Sequence, residues 1–207
     1  MMKVILVNGS GHEKGCTYTA LCEVAGELEK SRIETEIFQI GKVVTGCVGC
    51  LACDKTGKCA FDDSVNLLIE KAKGADGFVF GSPVHYAAAS GGITALLDRC
   101  FYAGGAAFAY KPGAAVVSCR RGGASATFDQ LNKYMTINNM PLVSSQYWNS
   151  VHGNTPDEVR QDAEGLQTMR TLGRNMAWIL RCIEAGKAAG ITHPEKELPR
   201  ARTNFIR

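Results

Sequence analysis

The sequence lacks any long hydrophobic run near its start. The apolar run at residues 4–7 is too short for the hydrophobic part of a signal peptide or for a membrane span. The chain also lacks a strong charge imbalance, because 23 lysines and arginines face 20 aspartates and glutamates, for a formal net charge of +3. We therefore expect a cytoplasmic protein that has neither a membrane nor a nucleic acid as its partner.

Internal repeats, linkers and low-complexity tracts are also missing from the 207 residues. A composition that is 45% hydrophobic and 21% charged is typical of a globular protein, and the length predicts a single domain over residues 1–207. Residues 41–61 form a cysteine-rich loop without obvious regular structure, and residues 191–207 form a C-terminal tail. Long irregular loops inside compact domains are usually functional.

Strand-like apolar runs alternate with amphipathic helical segments along the chain. The predicted strands are residues 3–8, 34–40, 76–81, 114–119 and 142–148. The predicted helices are residues 17–30, 62–73, 92–102, 124–138 and about 156–189. This alternation predicts an α/β fold, in which a doubly wound five-stranded parallel sheet is covered by helices on both faces.

A glycine-rich loop connects the first strand to the first helix. Backbone N–H groups and the positive end of the helix dipole favour an anion at such a place. The candidate ligands of a phosphate are Ser10, His12, Gly15, Cys16, Thr17 and Tyr18. The loop has neither the G-x-G-x-x-G spacing of dinucleotide sites nor the Lys-Ser/Thr pair of loops that bind nucleoside triphosphates. A single phosphate such as that of FMN fits best, and a plain turn that binds nothing is the alternative.

Two later loops are predicted to meet the first one at the carboxyl edge of the sheet. Their candidate residues are Ser82, Pro83, Val84, His85, Tyr86, Arg120, Arg121, Gly122 and Gly123. Amides, an aromatic ring and guanidinium groups suit a flat ligand such as flavin, whose reduced form carries negative charge. Each residue taken alone also fits ordinary packing or a solvated surface.

Four of the nine cysteines lie in one short loop, with the spacing Cys47-x2-Cys50-x2-Cys53-x5-Cys59. Cysteines of a cytosolic protein are expected to be reduced, so such a group indicates a metal or redox site. Four closely spaced thiolates can reach the corners of a cubane iron–sulfur cluster. Zinc is less well matched, because structural zinc sites usually pair two knuckles across a longer insert.

Together these motifs resemble the NAD(P)H-dependent FMN reductases and iron–sulfur flavoproteins of the flavodoxin-like superfamily. The segment from Gly9 to Thr17 is similar to the family's phosphate loop, where position 12 is more often Arg and position 16 more often Asn or Ser. Residues 82–86 and the later Leu97-Asp98-Arg99 resemble the second flavin loop and its helix. Residues 120–123 with Tyr147-Trp148 resemble the region near the flavin ring.

The resemblance implies a flavodoxin-like sheet of strand order 2-1-3-4-5 and an FMN enzyme that accepts hydride from NADH or NADPH. The acceptor would be a quinone, a nitro or azo compound, free flavin or a bound cluster. The resemblance also implies a [4Fe–4S] cluster on Cys47, Cys50, Cys53 and Cys59, although similar proteins carry this loop without a cluster. A homodimer or homotetramer is expected. No catalytic acid or base is expected, because hydride transfer needs position and electrostatics.

Other functions fit parts of the sequence. A non-enzymatic flavodoxin-like or iron–sulfur electron carrier would bind FMN without a nicotinamide. A short-chain dehydrogenase would need a Tyr-x-x-x-Lys pair, and none of the six tyrosines has a lysine four residues later. A zinc- or redox-sensing protein built around the cysteine loop is the third alternative.

Overall fold

A computed structural model describes residues 1–195, 197–198, 201, 203 and 205. Most of the predicted tail at residues 191–207 has no regular secondary structure where it is described. Pro199, Arg200, Arg202 and Arg207 lie outside the described residues.

A parallel β-sheet forms the centre of the molecule. The strands are β1 (Lys3–Asn8), β2 (Glu34–Gln39), β3 (Gly77–His85), β4 (Ala88–Ala89), β5 (Gly113–Cys119) and β6 (Ser150–His152). The parallel strands lie in the order β2-β1-β3-β5-β6, and the short β4 pairs antiparallel with β3. Without β4 this order is the predicted one, which confirms the topology.

Helices cover both faces of the sheet. They are α1 (Cys16–Lys30), α2 (Ala52–Thr56), α3 (Ser64–Lys73), α4 (Gly91–Gly104), α5 (Ala124–Ile137), α6 (Pro156–Gln161) and α7 (Ala163–Ala188). Helices α1 and α7 pack on one face, and α3, α4 and α5 pack on the other. Within the described residues, none of these helices is both long and apolar enough to span a membrane.

The central strand β1 shows how the sequence builds two cores. Successive side chains of a strand point to opposite faces. Val4 and Leu6 therefore pack in the core under α1 and α7, whereas Ile5 and Val7 pack in the core under α3 and α4. All four are fully buried, which explains why this strand is a continuous apolar run.

The predicted fifth strand at residues 142–148 is wrong. Only Leu142 makes an isolated bridge, with Gly113, and the last strand begins at Ser150, opposite Val117. The Ser145 hydroxyl accepts a hydrogen bond from the Tyr147 amide at 3.3 Å and donates one to the Tyr147 carbonyl oxygen at 2.6 Å. This local turn replaces the sheet ladder, although the segment is rich in residues that favour strands.

The predicted single helix at residues 156–189 is two helices, α6 and α7, divided at Asp162. The Asp162 carboxylate accepts hydrogen bonds from the Gly165 amide at 2.9 Å and from the His152 amide at 2.7 Å. Asp162 therefore caps the start of α7 and ties it to β6. The apolar periodicity continues across this break, so periodicity alone does not reveal it.

Two loops also differ from their prediction. Residues 82–85 belong to β3 rather than to a loop, and a two-residue turn at Tyr86 (φ 49°) and Ala87 (φ 60°) returns the chain into β4. Positive φ at both central positions matches the twist of a tight hairpin. The cysteine-rich loop contains the five-residue helix α2, which is too short to show a periodic pattern.

Candidate functional site

The loop after β1 is held in shape by side chains from β1 and β2. The buried Asn8 accepts a hydrogen bond from the Ser10 amide at 3.2 Å through Oδ1, and its Nδ2 donates to Gln39 Oε1 at 2.6 Å. Gln39 Nε2 in turn donates to the Ser10 carbonyl oxygen at 2.6 Å. The Ser10 hydroxyl accepts from the His12 amide at 3.1 Å. This network fixes the loop before α1 begins.

Helix α1 begins without a side-chain cap. Gly15 is the N-cap residue, and within the described chain no side chain accepts a hydrogen bond from the first turn. The amides of Cys16, Thr17 and Tyr18 precede the first intrahelical hydrogen bonds. Together with the helix dipole, they form a place where an anion is favoured.

A cavity of about 500 Å³ opens at this uncapped helix start. Six of the predicted site residues line it: Ser10, His12, Gly15, Cys16, Thr17 and Pro83. Glu13, Lys14, Ser118, Asn154, Thr155 and Pro156 complete the lining. The loops after β1 and β6 and the carboxyl ends of strands β3 and β5 therefore converge on it. The contribution of residues 154–156 was not predicted, because their only signal in the sequence is their position after the last strand.

The side chains at the start of α1 differ in their partners. Thr17 is buried, and its hydroxyl oxygen lies 2.8 Å from that of Ser118, so these two groups share one hydrogen bond. The Cys16 Sγ lies 3.8 Å from the Gly153 carbonyl oxygen, and burial raises the pKa of its thiol. Tyr18 does not line this cavity, and its neighbour Cys22 raises the pKa of its phenol.

The second predicted segment is tied to the first loop through two serines. The Ser82 hydroxyl accepts a hydrogen bond from the Ser90 amide at 3.0 Å, and the Ser90 hydroxyl donates to the Gly9 carbonyl oxygen at 2.8 Å. Ser82 therefore positions the start of α4. Val84 and His85 pair with β4, and the Tyr86 ring is fully exposed at the hairpin turn.

The third predicted loop packs against this hairpin. Gly123 has φ 88°, and a Cβ at this position would lie 2.6 Å from the Cα of Ala87. A side chain at Gly123 would therefore collide with backbone. This contact brings the loops after β3 and β5 together, as a site at the sheet edge requires.

A second cavity, of about 330 Å³, lies beside the third loop. Arg121, Gly122 and Gly123 line it, together with Tyr147 and Trp148, whose ring centroids are 4.7 Å apart. Arg120 is exposed and does not line it. Another lining residue, Asn149, was not anticipated, and its buried Nδ2 has no hydrogen-bond partner among the described residues.

The four clustered cysteines line a separate cavity of about 310 Å³ against α4. Cys47 and Cys50 are exposed, whereas Cys53 and Cys59 are partly buried, and all four are free thiols. Among the described residues, no three His, Cys, Asp or Glu side chains are arranged around a single metal ion. Four sulfur donors around one cavity fit the chemistry of an iron–sulfur cubane, which spans a volume and takes one thiolate at each corner.

Arg99 of α4 fastens this cysteine loop at both ends. Its guanidinium group is buried and pairs with the Asp63 carboxylate through two hydrogen bonds, of 2.7 and 3.0 Å. It also donates to the carbonyl oxygens of Thr45, at 3.1 Å, and Phe61, at 3.3 Å. Its Nε donates to Cys59 Sγ at 3.1 Å. The residue was part of a motif in the sequence, but its contact with the loop was not predicted.

Comparison with known proteins assigns the chain to a family. A family model described as NADPH-dependent FMN reductase matches residues 2–155. The chain belongs to the NADPH-dependent FMN reductase family. Membership in this family makes the chain an FMN-dependent oxidoreductase.

Individual relatives of this FMN reductase family member agree with that assignment. An iron-sulfur flavoprotein of Methanocaldococcus jannaschii is 32% identical over 192 residues, which cover 88% of this chain and 100% of the relative. A structure of RosB with bound 8-demethyl-8-formylriboflavin-5'-phosphate has a TM-score of 0.70 at 14% identity, over 100% of this chain and 96% of that one. A flavodoxin from the domain Archaea has a TM-score of 0.60 at 14% identity, over 87% and 99%. These likenesses confirm the flavodoxin-like fold.

Proposed function

We propose that this FMN-dependent oxidoreductase takes its electrons from NADH or NADPH and binds the FMN phosphate at the start of α1. The observation that carries the proposal is the uncapped first turn of α1, which opens into a cavity of about 500 Å³ lined by the loops after β1 and β6 and by the ends of β3 and β5. When bound, FMN supplies the hydride chemistry, with a quinone, a nitro or azo compound or free flavin as the acceptor.

Residues of the first loop would hold the phosphate. The amides of residues 15–18 point along the helix dipole, and the side chains of Ser10, His12 and Lys14 lie around the same cavity. Thr17 can turn its hydroxyl hydrogen from Ser118 towards a phosphate oxygen, because either hydroxyl can act as the donor of their shared bond. A hydrogen bond to a charged phosphate is stronger than the neutral bond that it replaces.

The end of β3, the hairpin turn that follows it and the loop after β5 would hold the flavin ring. Pro83 lines the phosphate cavity, and Val84, His85 and Tyr86 continue from it, so they carry the chain from the phosphate towards the ring. Gly122 and Gly123 offer amides, and Arg120 and Arg121 offer positive charge at the opposite loop. Because the serine network and the Gly123 contact fix these loops, the donors are positioned before the ligand arrives.

We further propose that Cys47, Cys50, Cys53 and Cys59 hold a [4Fe–4S] cluster, which supplies one-electron chemistry when bound. The support is that all four cysteines line one cavity of about 310 Å³. We propose a single cytoplasmic domain that assembles as a homodimer or homotetramer, which light scattering of the purified protein can test.

One anaerobic preparation tests these proposals. Chromatography of heat-released flavin should identify FMN, and addition of NADH or NADPH should bleach the flavin absorbance. Iron and sulfide should each approach four per chain, as a [4Fe–4S] centre requires. Recovery of FAD alone, or of no flavin after reconstitution, would contradict the FMN site. FMN that neither nicotinamide reduces would instead favour the non-enzymatic electron carrier.

A further inference from the structure

Arg99 is a buried cation whose charge is already compensated. Its bidentate pair with Asp63, at 2.7 and 3.0 Å, satisfies two of its five N–H donors and neutralises the guanidinium. Burying this group without such a partner would be strongly unfavourable. The remaining three donors are therefore not needed for charge balance, and all three point at the cysteine loop.

One of these three donors contacts a sulfur atom. The Nε–H group of Arg99 lies 3.1 Å from Cys59 Sγ, whereas the other two reach the carbonyl oxygens of Thr45 and Phe61. A neutral thiol is a weak acceptor, but a thiolate that ligates a metal carries negative charge and accepts such a bond well. The geometry therefore suits a ligating Cys59 better than a protonated one.

We propose that Arg99 is a positioning residue for the iron–sulfur cluster. Its Nε–H···Sγ hydrogen bond to Cys59 holds the cluster in place and raises the reduction potential of the cluster. The inference rests on the proposed cluster at this loop. Reduction adds negative charge that spreads onto the ligand sulfurs, and hydrogen bonds to those sulfurs stabilise the reduced form. The rigid helix α4 would keep this bond in place during electron transfer.

Two variants separate this role from simple support of the loop. Arg99→Lys keeps the positive charge but loses the planar Nε–H donor. Asp63→Asn keeps the guanidinium but removes its compensating charge, and an asparagine can still cap α3, as Asp63 does through the Val65 amide at 3.0 Å. Arg170→Lys is the matched control, because Arg170 pairs with Glu23 at 3.1 Å on the opposite face of the sheet.

The experiment uses full-length protein with FMN and cluster, prepared without air. A dye-mediated titration gives the cluster potential, and a chelator series gives the concentration that removes half of the iron. We expect Arg99→Lys to lower the potential and to weaken iron retention about 10- to 100-fold, as is typical when an outer partner of a metal ligand is lost. We expect Asp63→Asn to raise the potential, and Arg170→Lys to match the parent.

The opposite signs of the two shifts decide the proposal. A parental potential in Arg99→Lys, or shifts of the same sign in both variants, would overturn it, because loss of loop support alone does not predict opposite signs. If Arg99→Lys does not fold, as shown by lost FMN and lost helical circular dichroism, a raised potential in Asp63→Asn supports the proposal and an unchanged or lowered one refutes it. A parent without iron after reconstitution refutes both this inference and the cluster, whereas the flavin content of the same sample reports on FMN separately.

Discussion

Thr17 is almost completely buried, yet it forms part of the wall of the proposed phosphate site. If its hydroxyl contacts the FMN phosphate, Thr17→Ala should weaken FMN binding by roughly 1.5–3 kcal/mol, or about 10- to 150-fold in Kd. Quenching of flavin fluorescence during titration measures this. Thr17→Ser should retain most of the affinity, and Tyr147→Phe should resemble the parent. Equal affinities of Thr17→Ala and Tyr147→Phe would show that backbone amides alone hold the phosphate.

Cys53 tests the metal site, because it is a partly buried cysteine of the loop that lines the thiol cavity. Cys53→Ser should lose most of the iron while retaining FMN, since other loops form the flavin cavity. Colorimetric iron and sulfide assays on anaerobic protein give the answer. The exposed Cys182 lies on α7, so Cys182→Ser should keep a full complement of iron. Equal iron in the two variants would contradict ligation by Cys53.

Cys100 should be the least reactive thiol outside the loop. Burial on α4 strongly raises its pKa, and the thiolate is the reactive form, so almost none forms at pH 8. A brief exposure of native protein to iodoacetamide, followed by peptide mass spectrometry, should show modified Cys182 and unmodified Cys100. Modification of Cys100 should appear only after unfolding. Rapid labelling in the native state would mean that α4 opens locally.

At the scale of elements, the sequence predicts what depends on local periodicity. The apolar run of β1 and the amphipathic α1 are found close to their predicted bounds, because each buries a surface that its own residues define. Residues 142–148 carry the same strand-favouring types but form a turn, since the Ser145 hydroxyl competes for the backbone. Propensity describes a preference, and such local hydrogen bonds can override it.

In the candidate site too, the sequence predicts local features and not contacts between distant segments. Glycine spacing after β1 is enough to predict the first loop, because a short strand-to-helix connection fixes where its residues lie. Contacts between distant segments are different, since nothing near Arg99 in the sequence indicates its bonds to Thr45 or Cys59. Residues 154–156 also could not be predicted. They line the first cavity because the chain returns to that edge of the sheet after β6.

The contact between the third loop and the β3–β4 hairpin can be tested by one substitution. Gly123→Ala should lower the free energy of unfolding by at least about 1–2 kcal/mol, because the residue has a left-handed backbone and a Cβ would strike Ala87. Urea unfolding of apoprotein measures the loss. Gly122→Ala is the matched control, since nothing lies within 4 Å of a Cβ there. Similar stabilities of the two variants would argue against the contact.

At the scale of the whole molecule, one sheet separates two cores, so we expect both to unfold together as a single domain. Free FMN at 100 times its Kd should then raise the free energy of unfolding by about 2.7 kcal/mol. Urea unfolding followed by circular dichroism and by tryptophan fluorescence should give coincident curves. Riboflavin lacks the phosphate and should stabilise much less at the same concentration. Equal stabilisation by the two flavins would contradict a phosphate site at the start of α1.

The hydrogen bonds of Arg99 also affect how much the length of the segment between β2 and α3 can vary. Because one side chain of the host fold joins residues 45 and 59–63, the ends of the cysteine-rich loop are fixed whatever lies between them. Doubling the length of a flexible loop with fixed ends costs only about 0.6 kcal/mol. We therefore expect the segment to tolerate changes in its length. Evolution, or an engineer, could alter its length and ligand spacing while the flavin half of the molecule stays unchanged.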